Sequence, residues 1–181
     1  MRCSWVDLKD KEYIHYHDYE WGRPVHEDRK LFEMLILESF QAGLSWQCIL
    51  HKRENFKKAF DNFNARKIAQ YDNKKLKQLS ENKGLIRHEL KIKATIKNAK
   101  SFLKIQKEFT SFDKYIWNWT KGKIIIADGN ETRSALSNKI SKDLKKRGMN
   151  FVGSTIIYSY LCAIGIINAH EKYCDFSRNK G

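Results

Sequence analysis

The sequence predicts a mostly helical protein, and three observations support that prediction. The only proline among the 181 residues is Pro24, so little in the chain forbids long helices. Apolar residues recur at three- and four-residue intervals in several segments, which is the spacing of one helical face. No Gly- or Ser-rich linker and no internal repeat divides the chain. We therefore expect one domain over residues 1–181.

The first predicted helices lie on either side of Gly43. Asp28 can cap a helix over residues 29–42, which Gly43 ends. Ser45 can cap a second helix over residues 46–60, where apolar side chains form a stripe. The chain should therefore turn sharply between two packed helices.

A helical hairpin is predicted in the middle of the chain. Asp72 precedes a helix over residues 73–82, which Gly84 closes. After the turn KGLIRH, residues 83–88, a long helix follows with Ile92 and Ile96 on its apolar face.

In the C-terminal part of the chain, the sequence pattern predicts secondary structure weakly at first and then more strongly. Residues 112–119 suggest a short helix, and residues 123–127 suggest an isolated strand or a buried loop. Ser137 can begin a helix over residues 138–147. Residues 155–167 are apolar on nearly all sides, so we expect that helix at the centre of the core.

The net charge of +14 would attract a polyanion, of which nucleic acid is the usual one. However, 26 of the 35 cationic residues are lysines, and drift toward A/T-rich codons produces the same composition without a function. No apolar run approaches the roughly 20 residues of a membrane span, and the start lacks the apolar region of a secretory signal. We therefore expect a cytoplasmic protein with no membrane partner.

Four residues near the two ends of the chain could form a metal site. His170 and Cys174 are four apart, so on a helix both would point the same way. Cys3 and His17 would complete a tetrahedral Cys2His2 set for one zinc ion, closed and therefore structural. The spacing is not that of a standard zinc finger, and His15 is an equally good candidate on this ground. Ordinary surface histidines with free thiols are the alternative.

The first 46 residues combine a carboxylate with many aromatic rings. Glu38 falls at helical spacing between residues that bury their side chains, such as Leu35 and Ala42. The rings belong to Trp5, Tyr13, Tyr16, Tyr19, Trp21 and Trp46. An aromatic-rich core is the simplest explanation of the rings, but a buried carboxylate costs several kcal/mol unless it meets a donor or a cation. A flat, cationic ligand such as an alkylated purine would satisfy both the rings and Glu38.

Five blocks of sequence occur in a fixed order from Cys3 to Cys174. They are YHDYEWG (16–22), LFEMLILESFQAGLSW (31–46), LIRHELKI (85–92), SKDLKKRGMNFVG (141–153) and INAHEKYC (167–174). Together they closely resemble the bacterial 3-methyladenine DNA glycosylase I family. The resemblance implies an all-α, helix-hairpin-helix DNA glycosylase-like fold, with a zinc site joining the N- and C-terminal segments.

The resemblance also implies a role for each residue that matches the family's motifs. The implied residues are the zinc ligands Cys3, His17, His170 and Cys174; the base pocket Tyr13, Tyr16, Trp21, Trp46 and, as a further wall, Trp5; the catalytic Glu38; and the DNA-binding Gly43 and Leu44. This set selects His17 over His15. The hairpin at residues 84–91 would present backbone N–H groups to a phosphate. Residues 120–133 match weakly, so no function is carried over to them.

The implied activity is that of a monofunctional DNA glycosylase. It would flip 3-methyladenine out of alkylated double-stranded DNA, hydrolyse its N-glycosidic bond, release free 3-methyladenine and leave an abasic site. Glu38 would accept hydrogen bonds from the cationic base, and Leu44 would fill the gap that the base leaves. A monomer would suffice. The rival hypotheses are a zinc-stapled nucleic-acid-binding module without chemistry and an enzyme on free purine nucleosides or bases.

Overall fold

The computed structural model describes residues 1–127 and 129–177, and most of these residues are helical. The helices in this part of the chain are α1 Lys11–Tyr19, α2 Asp28–Gln41, α3 Trp46–Leu50, α4 Arg53–Ala59, α5 Ala65–Ile68, α6 Asn73–Glu81, α7 Glu89–Phe109, α8 Phe112–Asn118, α9 Ala135–Lys146 and α10 Ser154–Ala163. A short 3-10 helix, Asp61–Phe63, lies between α4 and α5. The prediction of a mostly helical protein is confirmed. Within residues 1–127 and 129–177, no helix has the length and apolar character that crossing a membrane requires.

Helix α2 lies at the centre of the core. All residues from 31 to 40 are buried, including two carboxylates, Glu33 and Glu38. Helix α10 packs against α2, and the Tyr160 hydroxyl donates a hydrogen bond to the backbone oxygen of Leu31 at 3.2 Å. Because α2 has no solvent-facing side over these residues, each of these two carboxylates must either be paired locally or keep its proton.

Asp28 does not cap α2 as predicted. Helix α2 begins at Asp28 itself, and Glu27 holds the N-cap position without a side-chain hydrogen bond. The Asp28 carboxylate instead accepts hydrogen bonds from the backbone N–H groups of Phe112 and Asp113, at 2.9 and 2.8 Å, and from Gln106. It therefore satisfies the exposed donors at the start of α8, a helix more than eighty residues away.

Two helices in the first part of the chain differ from the prediction. The predicted helix over residues 46–60 is divided into α3 and α4, which are separated at His51 and Lys52. Helix α1 was not predicted, because its residues are mostly polar or aromatic and show no simple apolar stripe. Asp10 caps it by accepting hydrogen bonds from the backbone N–H groups of Glu12 and Tyr13, and this cap was the available sequence signal.

The helical hairpin is present as predicted, formed by α6 and α7. In its turn, the Gly84 N–H donates to the Asn82 side chain at 2.8 Å, and Leu85 is buried. His88 occupies the N-cap of α7, where its ring nitrogen accepts a hydrogen bond from the Lys91 N–H at 3.4 Å. The turn is therefore fixed by local polar contacts and one buried side chain.

The C-terminal elements confirm their predicted types but not all their boundaries. Helix α9 is capped by Ser134, and Ser137 completes the capping box from inside the helix. Helix α10 ends at Ala163 rather than at residue 167. Gly165 has φ +75°, which is not a helical angle, so the helix does not continue through this position. A Cβ atom there would lie 2.2 Å from the carbonyl carbon of Arg23, so the turn requires glycine.

Two short strands form a parallel pair, β1 Ile125–Ile126 and β2 Ile167–Asn168, with Ile125 opposite Ile167. Ile125 and Ile126 are exposed. The prediction of an isolated strand or a buried loop over residues 123–127 was therefore wrong. This segment contains a strand that pairs with a distant strand, β2. This pair brings the residues after β1 next to the C-terminal segment.

We expect Asp28→Ala to lower the free energy of unfolding by about 2 kcal/mol, the upper end of the range for loss of a helix cap. Two backbone donors and the Gln106 amide lose their acceptor at once. Urea denaturation measures the change. Asp72→Ala is the matched control: Asp72 is an exposed cap with one backbone bond, and its loss should cost about 1 kcal/mol. An effect of Asp28→Ala no larger than that of the control would contradict this role.

Candidate active site and metal centre

A cavity of about 250 Å³ lies beside the C-terminal half of α2. Five of the expected site residues line this cavity. They are the catalytic candidate Glu38 and the base-pocket candidates Trp5, Tyr16, Trp21 and Trp46. Tyr16 comes from α1, Glu38 from α2 and Trp46 from the first position of α3. The cavity therefore lies where α1, α2, α3 and α10 meet the N-terminal segment.

Aromatic rings form most of one side of the cavity. The ring centroids of Tyr16 and Trp46 are 5.1 Å apart, and those of Trp5 and Trp21 are 4.9 Å apart in an edge-on arrangement. Tyr13, the remaining residue expected in the pocket, does not line the cavity. Its ring packs against Trp5, with the ring centroids 5.2 Å apart. Tyr13 is thus placed to support a wall.

Glu38 is the buried carboxylate of the cavity, with 3 % of its surface exposed. Its Oε2 atom has no hydrogen-bond partner among the described residues. Burial raises the pKa of Glu38 to about 8. Glu33, equally buried on the same helix, is instead paired with Arg53 at 2.6 Å. A buried acid of α2 can therefore be paired with a cation from another helix. Among the described residues, Glu38 has no cationic partner.

The cavity also contains an unused donor. The indole Nε1 of Trp46 is buried and has no hydrogen-bond partner among the described residues. Burial and the neighbouring charge of Glu38 both raise the pKa of Tyr16, so its hydroxyl stays protonated. A planar ligand that carries hydrogen-bond donors and a positive charge would suit this combination of rings, hydroxyl and carboxylate.

Several residues of the cavity wall were missed by the sequence analysis. They are Gln41, Gly129, Glu131, Thr132, Thr155, Tyr158, Ser159, Cys162 and Ala169. The cavity-lining residues of α10 lie three and four residues apart, on one face of the helix. Polar side chains on one face of an otherwise apolar helix are a sequence pattern that could have indicated them. The resemblance carries no function over to residues 129–132, because this segment matches the family weakly. Glu131 and Thr132 nevertheless line the cavity. No local pattern marks them, because β1 and β2 bring this segment into place.

Gly43 and Leu44 lie at the turn between α2 and α3, next to the cavity. Gly43 has φ +82°, which favours glycine, although a Cβ atom there would meet nothing within 4 Å. The Leu44 N–H donates to the Gln41 carbonyl at 2.6 Å, and the Leu44 side chain is 41 % exposed. The turn therefore presents an apolar side chain to solvent between Gln41 and Trp46, two residues of the cavity wall.

Three of the four predicted metal ligands lie together. The donor atoms of Cys3, His17 and Cys174 are all within 4.8 Å of one another, and all three residues are buried. His17 Nδ1 donates a hydrogen bond to the Asp18 carboxylate at 2.8 Å, which leaves Nε2 for the cysteines. Cys174 Sγ lies 3.5 Å from this Nε2 atom. A carboxylate behind a ligating histidine is typical of metal sites.

The chemistry of these donors fits a metal ion. Burial raises the pKa of the Cys3 thiol to about 12, although the N–H of Glu171 lies 3.4 Å from its sulfur and acts in the opposite direction. A thiolate there therefore requires a cation close by. Burial lowers the pKa of His17, which keeps the imidazole neutral, as metal binding needs. Cys3, His17 and Cys174 could hold a metal ion.

His170 lies beside this group but outside the set of three. Its ring centroid is 5.1 Å from that of His17, and its Nδ1 atom is hydrogen-bonded to Asn168 at 2.9 Å. His170 and Cys174 are not on a helix, as the prediction assumed, but in the turn that follows β2. A Cβ atom at Gly22 would lie 2.7 Å from the His170 ring, so this glycine permits the close approach. The other candidate, His15, is exposed and packs against Tyr19.

Comparisons with known proteins identify the family to which the chain belongs. Residues 5–178 match the methyladenine glycosylase family. The chain is 40 % identical over 178 residues to a DNA-3-methyladenine glycosylase of Haemophilus influenzae, covering 96 % of each. A crystal structure of 3-methyladenine DNA glycosylase I is similar with a TM-score of 0.94 and 41 % identity, covering 98 % of this chain and 100 % of that one. A variant of 3-methyladenine DNA glycosylase I in complex with 3-methyladenine matches with a TM-score of 0.92 and 35 % identity, covering 96 % of each chain.

The raised pKa of Glu38 predicts a loss of stability as pH rises. The native state holds the Glu38 proton up to a pKa of about 8, whereas the unfolded chain releases it near an ordinary pKa of about 4.3. The stabilisation is therefore complete below the unfolded pKa and lost as pH approaches 8. Urea denaturation at pH 5.5 and 8.5 should show wild type losing a few kcal/mol more than Glu38→Gln, in which the other titrating groups are unchanged. Parallel pH dependence in both proteins would contradict this result.

Proposed function

Because the chain belongs to the methyladenine glycosylase family, we propose that it excises 3-methyladenine from alkylated double-stranded DNA. It hydrolyses the N-glycosidic bond, releases free 3-methyladenine and leaves an abasic site. The observation that carries the proposal is Glu38, a buried carboxylate in an aromatic cavity to which residues 1–127 and 129–177 supply no cation. The complex of a related glycosylase with 3-methyladenine supports the choice of base.

The chemistry of the lesion fits a site of this kind. Methylation at N3 gives the adenine a positive charge while it is attached to the sugar, so the base leaves without being protonated first. Glu38 accepts hydrogen bonds from the adenine edge and offsets this charge, while Tyr16 and Trp46 stack on or border the ring. The approach of the cation favours the ionised form of Glu38. Unmodified adenine has no such charge and gains less from the same carboxylate.

The lesion must leave the DNA stack to reach the cavity. In our proposal Leu44 enters the duplex and fills the gap, as apolar wedges do in other DNA-binding proteins. The backbone of the hairpin at residues 84–91 contacts a phosphate, and surface lysines add contacts that do not depend on sequence. Together these groups hold the duplex while the base is in the cavity. The chain acts as one domain and as a monomer, in the bacterial cytoplasm.

We further propose that the metal is one zinc ion, with His170 as the fourth ligand beside Cys3, His17 and Cys174. Such a set leaves no position for water, so the ion is structural. Its donors come from the two ends of the described chain, which also meet through hydrogen bonds from Ser4 to Glu171 at 2.7 and 2.6 Å. The zinc site therefore holds together the segments that carry Trp5 and Trp21.

We expect Glu38→Gln to slow release of 3-methyladenine from methylated duplex DNA by about 10- to 100-fold, the cost of losing a hydrogen bond to a charged group. Chromatography of labelled bases measures the release. The DNA strand should remain intact until alkali is added, because no covalent enzyme–sugar intermediate is formed. Glu131→Gln is the matched control at the same cavity; Glu131 is exposed, so water screens its charge and the rate should change little.

Other outcomes of this experiment identify the rival functions. Release of no base by the folded protein would indicate a nucleic-acid-binding module without chemistry. Activity on a free nucleoside, but not on duplex DNA, would indicate a nucleoside enzyme. Equal rates for wild type and Glu38→Gln would refute the role of this carboxylate.

The zinc proposal predicts one zinc ion per chain in protein purified without chelator. His170→Ala should lower the zinc content and the thermal midpoint, because zinc binding contributes to folding. Elemental analysis and thermal denaturation are the measurements. His15→Ala is the control, since His15 is exposed and should bind no zinc. Full zinc content in His170→Ala would remove His170 from the ligand set.

A further inference from the structure

Lys91 is a buried cation at the junction of two elements that face DNA in the proposed function. It is 5 % exposed, although it is the third residue of α7. Its Nζ atom donates hydrogen bonds to the carbonyl oxygens of Phe40 at 2.7 Å and Ala42 at 2.6 Å. The same ammonium lies 5.9 Å from the centroid of the Phe151 ring. Lys91 thus joins the start of α7 to the end of α2.

The end of α2 needs such a partner. No basic residue lies in the last turn of α2 itself, although its terminal carbonyls carry the negative end of the helix dipole. Lys91 supplies the missing cation from a segment about fifty residues away in sequence. The bonds to Phe40 and Ala42 fix the backbone on which Gly43 and Leu44 follow directly.

Lys91 also lies immediately after the hairpin turn. His88, the last residue of that turn, accepts a hydrogen bond from the Lys91 N–H. A displacement of the hairpin would therefore reach the end of α2 through the Lys91 side chain, which is one of the contacts between α7 and α2. Because both acceptors of Lys91 are backbone carbonyls, this contact does not depend on which side chains lie at positions 40 and 42.

We propose that Lys91 is a positioning residue that couples the phosphate-binding hairpin to the Leu44 turn, so that docking of the hairpin sets where Leu44 enters the duplex. This inference rests on the proposed function. Lys91 does not act on the base, since the cavity lining does not include it. Burial also lowers the pKa of Lys91, but its Nζ atom is held by two carbonyls and is not placed to attack the sugar.

The experiment compares wild type, Lys91→Met, Leu44→Ala and the double variant. The first readout is the fluorescence of 2-aminopurine placed next to an abasic-site analogue in a duplex, which reports entry of Leu44 without requiring base release. The second is single-turnover release of 3-methyladenine. Each single variant should weaken both readouts by about tenfold, as is typical of residues in one network. The double variant should be no worse than the poorer single variant, because Lys91 acts through Leu44.

Three further measurements separate coupling from general damage. Binding of free 3-methyladenine should change much less than either readout in Lys91→Met, because the cavity lining does not include Lys91 and Glu38 precedes the two carbonyls that Lys91 holds. Lys91→Arg should restore part of the activity, since it keeps the cation and its donors. Lys93→Met is the matched control, because Lys93 is exposed on the same helix and, within the described part of the chain, forms its ion pair with Glu89; its effect should be small.

The outcomes that overturn the coupling are distinct from failure of the proposed function. Multiplicative effects in the double variant, or loss of free-base binding in Lys91→Met, would show that Lys91 supports the fold or the cavity. A 2-aminopurine signal that is intact in Lys91→Met would show that Lys91 does not position Leu44, and would refute the coupling. Absence of base release by wild type, with the fluorescence pattern as expected, would refute the enzymatic function and retain the coupling.

Discussion

The structure depends on the burial of Glu38 inside a helix that has no solvent-facing side. Ten consecutive residues of α2 are buried, so the helix cannot rotate to bring Glu38 into water without exposing its neighbours. Glu33 shows how the fold satisfies a buried carboxylate, with Arg53 at 2.6 Å. At Glu38 the described residues supply aromatic rings and a hydroxyl but no cation. In the proposed function, the charge that completes this site arrives with the ligand, which is how the carboxylate acts in recognition.

The walls around Glu38 are held by the ends of the described chain. Trp5 packs against His17 at 5.3 Å, and Trp21 packs against His170 at 4.5 Å. The segments that carry the candidate metal donors therefore also carry two of the rings that line the cavity. A shift of either segment would change the shape of the cavity, although no metal donor lines it. The candidate metal centre and the candidate active site thus share a boundary formed by aromatic side chains.

The sequence predicted those features that depend on local spacing. The burial of Glu38 followed from its position among apolar residues of one helix, and the hairpin followed from its caps and turn. Long-range contacts could not be predicted in this way. Asp28 has the sequence position of a cap for α2 but caps α8 instead, because the backbone N–H groups at the start of a helix can donate to any carboxylate that folding brings near. Glu131 lines the cavity only because β1 pairs with β2, and the segment after β2 turns rather than forming the helix assumed for His170 and Cys174.

The raised pKa of Glu38 has a consequence for the thermodynamics of ligand binding. Near neutral pH the empty site is largely protonated, since the pKa is about 8, whereas a bound cation favours the carboxylate. Binding of a cationic base is therefore coupled to release of up to one proton into solution. The affinity should rise with pH up to the pKa of Glu38, and the calorimetric enthalpy of binding should vary with the ionisation enthalpy of the buffer. The proton leaves Glu38 as the cationic ligand enters. The net charge of the cavity with its contents therefore changes little on binding.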